Sequence, residues 1–597
     1  MFQNQLDPEK MSQMDRRLFL KAMGASAFAT GLNLALPLPA WGNELSKGID
    51  DIKAKNLYNL TIDYSSLVID GKKGRATAIN GTVPGPLLRW KEGEHVRMNV
   101  KNNLMDTEHA SIHWHGILVP FRMDGVPGVN FKGIRPGETY EYHFQVKQYG
   151  TYWYHSHSAF QEQTGTYGPL IIDPQGKEPF HFDREHVVVL SDWSFENPEK
   201  IFKNLHKIEG YYNFQKRTIF DLFENMKEEG AVPALRDWLA WDKMRMSPVD
   251  ILDVTGYAYT YLMNGNSPDM NWTGLFEPGE VVRLRFINAS AMSNMDVRIP
   301  GLDLEVVMVD GKPVRPVKVH EFRIGVAETY DVLVKPKKNE AFTIFAEAQD
   351  RSGYTRGTLA PKEGMSAPVP SLRKRPVRDL KDIGMGMMSG NLIGEMDHSK
   401  MKKMKQHNSK KPKEDPSVPG PNGPTPFKPD KGDPEVVMVI SNPQYRLDEP
   451  GLGLGDDGWK VLTYADLQSA APQPYSPVVQ REMTINLTAN MERYMFSLDG
   501  KKFTDQPGPY HFRHNERLRL FLVNHTMMDH PMHLHGMWMQ LENGHDHDKI
   551  PFKHTILVKP GEKLSVLITP IEKGDWAFHC HFLYHMEAGM FQVIRVS

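Results

Sequence analysis

The sequence predicts an all-β protein of three Greek-key β-sandwich domains, and three observations predict it. Short runs rich in β-branched and aromatic residues recur between Gly and Pro turns in the N-terminal third: LTIDYSSLVI, HVRMNV, YEYHFQV and PLIIDP. Residues 250–350 repeat the style with VVRLRFIN, LEVVMVDG and YDVLVKP, and the C-terminal part repeats it with REMTINL, RLRLFLVN and LSVLITP. A chain of 597 residues has room for three or four domains.

Taken in order, residues 1–42 read as a twin-arginine export signal. Asp15-Arg16-Arg17-Leu18-Phe19-Leu20-Lys21 precedes an apolar, Ala/Gly-rich run and a small-residue exit at Ala40-Trp41-Gly42, with cleavage expected near Asn43. Asn33, Pro37 and Pro39 interrupt the run, so no stable membrane anchor is expected. The expected location is a bacterial periplasm. The first domain is expected over 43–178 and the second over 179–358. Within the second, TIFDLFENMKEE and ALRDWLAWDKM space their apolar residues as helices do, so a helical packing insertion is expected at about 196–248. Residues 359–435 form a Met-, Pro- and Lys-rich linker, and 436–597 form the third domain. Net charge is −2, from 71 basic and 73 acidic residues, which leaves no electrostatic case for nucleic acid.

Cys580 is the only cysteine, and it stands in His579-Cys580-His581. It can enter neither an intramolecular disulfide nor a thiolate zinc cluster. Neighbouring side chains on an extended strand point to opposite faces, so one segment can present sulfur to one metal and two imidazoles to another. A blue-copper centre takes one Cys, two His and a weak axial thioether. Cys580, His585 and Met590 supply three of these, and His530 in HPMHLHG is the candidate for the fourth. Three further H-x-H pairs, His113/His115, His155/His157 and His533/His535, bring the imidazoles to eight with His579 and His581. Eight such rings can converge on a copper cluster able to hold dioxygen. A lone H-x-H is more often a zinc site or a hydrogen-bonded surface pair; four clusters and a sole cysteine with a methionine in register are not.

These motifs resemble the multicopper oxidases, in that family's order. AINGTVPGPLLRWKEGEHVRMNVKNNL and ASIHWHGILVPFRMDGVPG are similar to its periplasmic copper-resistance branch, and the likeness spans roughly three quarters of the mature chain. The resemblance implies cupredoxin-like sandwiches, the first and third facing each other, and four coppers per chain. Type 1 copper would lie on His530, Cys580, His585 and Met590. Type 2 would lie on His113 and His533, and the type 3 pair on His115, His155, His157, His535, His579 and His581. It also implies an acid for proton delivery at Asp124, nine residues past His115, for which the local alternative is a turn residue before Gly125. The acid that some relatives place just after the last type 1 histidine is replaced by Met586, with Glu587 next.

The linker carries GMGMMSGNLIGEMDHSKMKKMKQH, with Met385, Met387, Met388, Met396, Met401 and Met404 beside His398. Thioethers select Cu(I), so extra Cu(I) binding is expected there; a flexible linker is the alternative. Met527, Met528, Met532, Met537, Met539 and Met586 lie near type 1 ligands in sequence and read either as a thioether-lined entry or as core. The expected activity is oxidation of Cu(I), and of phenols in a laccase-like way, with O2 reduced to water. The expected partners are O2, the Cu(I) or phenolic reductant, and periplasmic copper-handling proteins. A primary phenol oxidase and a copper-sequestering binding protein with incidental turnover are the alternatives.

Overall fold

The computed structural model of the chain describes residues 56–105, 108–208, 210–380, 382–383 and 423–597. The expected export signal and the methionine run at 384–407 lie outside the described residues.

Strand pattern becomes sheet in the way pleating requires. Along His95–Asn102 the side chains of Val96, Met98, Val100 and Asn102 go inside, while His95, Arg97 and Lys101 face water. Val282–Asn288 is buried throughout, because it runs through the middle of a larger sheet. Its two arginines stay inside by ion pairing, Arg283 with Asp331 and Arg285 with Glu185.

Six sheets form three sandwiches, of four and four, six and five, and six and five strands. All three are wired alike. Each opening strand lies parallel to a later strand of its own sheet: Asn56–Ile69 with His95–Asn102, Arg184–Trp193 with Val282–Asn288, and Arg481–Asn490 with Leu518–Asn524. In each facing sheet a short edge strand lies parallel to the last strand: Leu88–Lys91 with Tyr167–Asp173, Trp272–Leu275 with Tyr354–Ala360, and Tyr510–Phe512 with Phe591–Val596. No hairpin joins parallel neighbours, so the chain must cross between sheets, as in a Greek key. The expected all-β fold of three cupredoxin-like sandwiches is the observed one.

Two large cores hold the sandwiches together. One is centred on the first sandwich, but Trp538 and Phe552 of the third enter it beside Trp90 and Trp114. Large side chains buried this way contribute about 1.5–3 kcal/mol each, which fixes the first domain against the third. The larger core runs through the second and third sandwiches. Lys553 of the third also reaches Asp310 at 3.1 Å and Glu328 at 2.6 Å in the second, with all three side chains buried.

Three helices, Pro198–Leu205, Ile219–Glu229 and Ala231–Met244, lie between the strands Arg184–Trp193 and Thr260–Met263. Asn197 caps the first by accepting from the Lys200 amide, with Pro198 at the first position. Thr218 and Asp221 form a capping box on the second. Trp241 anchors the third in the core.

Candidate metal centre

Strand pairing delivers the histidines. His113–His115 pairs with Gly150–His155 so that His113 lies opposite His155. His530–Leu534 pairs with Gly574–Cys580, placing His533 opposite His579 and Met532 opposite Cys580. Alternation then sorts the faces. Trp114 packs in the first sandwich's core, while His113 and His115 turn towards the third domain. There the His113 ring lies 3.9 Å from that of His535, and His115 stacks on His533 at 3.8 Å between centroids. His155, His157, His579 and His581 close the group. All eight rings are buried.

In most of these rings one nitrogen is held and the other left open. His113 Nδ1 donates to the Asp124 carbonyl at 2.7 Å, and His533 Nδ1 to the His554 carbonyl at 2.7 Å. His535 Nδ1 lies 2.9 Å from the Asp124 carboxylate, and His155 Nδ1 lies 2.7 Å from that of Glu162. His579 Nδ1 reaches the Cys580 carbonyl at 3.0 Å. The Nε2 atoms of His113, His155, His157, His533 and His581 are buried without a partner, as are both nitrogens of His115. His535 and His579 point Nε2 at each other across 3.1 Å. Each unsatisfied buried nitrogen costs about 1–3 kcal/mol, so the cluster as drawn is expensive unless metal takes the lone pairs. Two groups of three, His115/His155/His581 and His157/His535/His579, bring their ligand atoms within 4.8 Å of one another, and so does His113/His533/His535.

On the other face of the same strand Cys580 Sγ lies 3.5 Å from His530 Nδ1 and 3.7 Å from His585 Nδ1, and the two nitrogens are 3.2 Å apart. Thr526 Oγ1 holds His530 Nε2 at 2.8 Å, and Asp253 holds His585 Nε2 at 2.7 Å. Phe496 stacks on the His585 ring at 3.7 Å. Met590 is fully buried, and its backbone bonds both to Cys580 and to His585. Eleven of the twelve residues expected from sequence therefore form two groups joined through His579-Cys580-His581, and Met590 is tied to the smaller one by its backbone.

Electrostatics suit neutral ligands. Burial holds His115, His155, His157, His530, His533, His579, His581 and His585 well below the usual imidazole range, and His535 is lowered to about 4. Burial pushes the Cys580 thiol up, so a bound cation is what would deprotonate it. Burial alone would raise the Asp124 carboxyl, but the imidazoles of His535 and His113 outweigh it and hold it well below the carboxylate range. Asn130 donates to the same carboxylate at 2.8 Å.

Four supporting residues escaped the sequence reading. Glu162 lies five residues past His157, and burial raises its carboxyl well above the usual range. Asp253 is raised by burial to about 7 and accepts from Tyr494 as well as His585. Thr526 lies four residues before His530, and His554 follows Lys553. The proximity of Glu162 and Thr526 to motif histidines was their only signal. Met527, Met528, Met532, Met537 and Met539 are core residues, and only Met586 is partly exposed, so they form no thioether-lined entry.

Comparison with known proteins agrees with this chemistry. Multicopper oxidase family models match residues 61–177, 219–364 and 476–597. The chain is 46% identical to copper resistance protein A of Escherichia coli, over 98% of this chain and 99% of that one. It is also 46% identical to a copper resistance protein A homolog of Pseudomonas syringae pv. tomato, over 98% and 100%. The crystal structure of the laccase from Botrytis aclada shares the fold, with a TM-score of 0.57 at 20% identity over 90% of this chain and 87% of that one. With its sandwiches wired alike and its histidines gathered around one cysteine-bearing strand, the chain belongs to the multicopper oxidase family, oxidoreductases that use O2.

Proposed function

We propose that the protein oxidises Cu(I), and phenols as a laccase does, while reducing O2 to two waters, and that it does so in the periplasm after twin-arginine export. Copper supplies the one-electron redox chemistry at both groups. In this reading His530, Cys580, His585 and Met590 hold type 1 copper, and His113 and His533 hold type 2. The two triads, His115/His155/His581 and His157/His535/His579, hold the type 3 pair. The observation that carries the reading is the three-residue link: Cys580 faces one group while His579 and His581 face the other.

The residues around these groups divide the remaining work. Asp253 and Thr526 hold the type 1 imidazoles by their Nε2 atoms, leaving Nδ1 turned towards Cys580. The His585 edge is enclosed by Asp253, Tyr494 and Phe496 rather than open to a stacked ring, which favours a metal cation over a phenol as the main reductant. Asp124 orients His535 and is positioned to move protons to the cluster. The methionines of 385–404, with His398, capture Cu(I) and feed it inward.

Oxygen uptake by the copper-loaded protein decides the substrate. Cu(I) should give the higher kcat/KM and a phenol the lower; the reverse order would make the protein a phenol oxidase. Deleting residues 384–407 should raise KM for Cu(I) and leave the phenol unchanged. Cys580→Ser should abolish the blue absorption, turnover and copper tolerance of cells at equal protein level. Tolerance that survives Cys580→Ser would make it a copper-sequestering protein instead.

A further inference from the structure

His554 is a buried imidazole that no part of the proposed copper assignment uses. It sits on the strand-end segment Phe552–Val558, one residue past Lys553, and its ring meets that of His115 edge-on at 4.8 Å between centroids. The rings of His533 and Trp538 lie at 5.7 and 5.9 Å. Its Nε2 is buried with no hydrogen-bond partner. One ligand atom each from His115, His533 and His554 lie within 4.8 Å of one another. Gly116, at φ +82°, leaves the space the ring occupies, since a Cβ there would collide with His554.

The other side of the ring is anchored. Nδ1 lies 3.1 Å from Thr555 Oγ1 and 3.7 Å from the Asp310 carboxylate. The same carboxylate accepts from the His554 and Thr555 amides and pairs with Lys553. Oxygen acceptors around Nδ1 keep the proton there, which leaves a lone pair on Nε2. A buried lone pair without a partner costs about 1–3 kcal/mol, so an ordinary core histidine would be poorly placed here. The narrow cleft beside it is lined by His113, His533, Gly116, Leu118 and Trp538 among others. The two imidazoles assigned to type 2 copper line that cleft. Two imidazoles leave Cu(II) short of its usual coordination, so solvent or a small anion must complete it.

We propose that His554 is a ninth imidazole of the cluster: its Nε2 accepts a hydrogen bond from the water that completes type 2 copper and disfavours anions in that place. This rests on the copper assignment given under Proposed function. A water ligand has protons to give to the lone pair; fluoride has none and meets it as repulsion. His554 is thus a positioning residue that sets which small oxygen ligand or anion the cluster holds.

The test is fluoride titration of the copper-loaded protein, followed by the type 2 electron paramagnetic resonance signal, in wild type, His554→Phe and His554→Gln. Copper content and the blue band are measured for each. His554→Phe should keep four coppers and an unchanged blue band while binding fluoride about fivefold to tenfold more tightly, the size of one hydrogen bond. The glutamine variant can turn an N–H towards fluoride and should bind it at least as tightly as the phenylalanine variant. If the phenylalanine variant fails to load copper, the glutamine variant decides alone. Unchanged fluoride affinity in the copper-loaded variants would make His554 a packing residue and overturn the proposal. Selective loss of type 2 copper from both would make it a direct ligand and overturn it as well. A wild-type protein without a type 2 signal would instead refute the copper assignment.

Discussion

A histidine has two nitrogens, and at this centre the second is as informative as the first. Asp124 shows why. Its carbonyl takes the Nδ1 proton of His113, while its carboxylate takes that of His535, so one residue orients rings assigned to type 2 and to type 3 copper. Asp124→Asn keeps the shape but loses the charge. Reoxidation of the reduced protein by air should slow by about a hundredfold or more, the scale of one positioned acid–base group, while anaerobic reduction of the blue site stays normal. Normal reoxidation kinetics would leave Asp124 a structural turn residue. Asp253 does for the cysteine group what Asp124 does for the cluster, through its 2.7 Å bond to His585. An anion bonded to a ligand imidazole favours the more highly charged metal, so Asp253→Asn should raise the type 1 potential. Redox titration against the wild type reads this directly, and a lowered potential would remove Asp253 from the ligand's hydrogen-bond shell.

At the scale of elements, the strand is what made the site readable. Period-two alternation places His113 and His115 on one face and separates Cys580 from His579 and His581. Asp253 was not legible, because it meets His585 across 332 residues and carries no spacing. His554 reaches the cluster only because the strand that follows it, Thr555–Val558, pairs with His530–Leu534. The methionines near the type 1 ligands read two ways for a related reason: being close in sequence to a ligand says nothing about whether a side chain faces solvent or core. Turns matter as much as strands. Gly125, at φ +85°, lets the chain turn under the Ile112 carbonyl immediately after Asp124. A Cβ there would strike backbone that cannot yield, on top of the left-handed strain. Gly125→Ala should destabilise the protein by about 2 kcal/mol or more and weaken cluster copper before type 1 copper. Calorimetry and copper analysis check both, and a wild-type melting temperature would show that the turn is not rigid.

At the scale of the whole molecule, the metal centre is also a folding problem. The cluster lies between the first and third sandwiches, so folding must bury eight imidazoles side by side. An unfolded chain protonates histidine below about pH 6.5, whereas burial in the folded, metal-free centre disfavours the charged form of His115, His155, His157, His533, His535, His579 and His581. Between the two ranges the unfolded state binds more protons, so stability grows as pH rises towards 6.5 and is lost as pH falls below it. His535 and His554, each lowered to about 4 mainly by burial, would cost about 3 kcal/mol apiece at pH 4. Burial also holds His115, His155, His157 and His533 well below the usual imidazole range. Asp250 and Asp253, raised to about 7, Glu587, raised to about 8, Asp350, raised to about 6, and Glu162, raised well above the carboxylate range, act in the opposite sense, losing stability as pH rises, and so offset part of the histidine loss. The metal-free protein should still lose melting temperature between pH 7 and pH 5, because ten buried histidines are lowered. Copper on the open nitrogens removes the penalty of the unpaired lone pairs and competes with protons, so the loaded protein should hold its melting temperature further into acid until copper is released. Scanning calorimetry of both forms across that window, with free copper followed in parallel, tests the linkage. A metal-free protein whose melting temperature is flat from pH 7 to pH 5 would mean that the rings are not buried neutral, and that the centre assembles only when copper arrives.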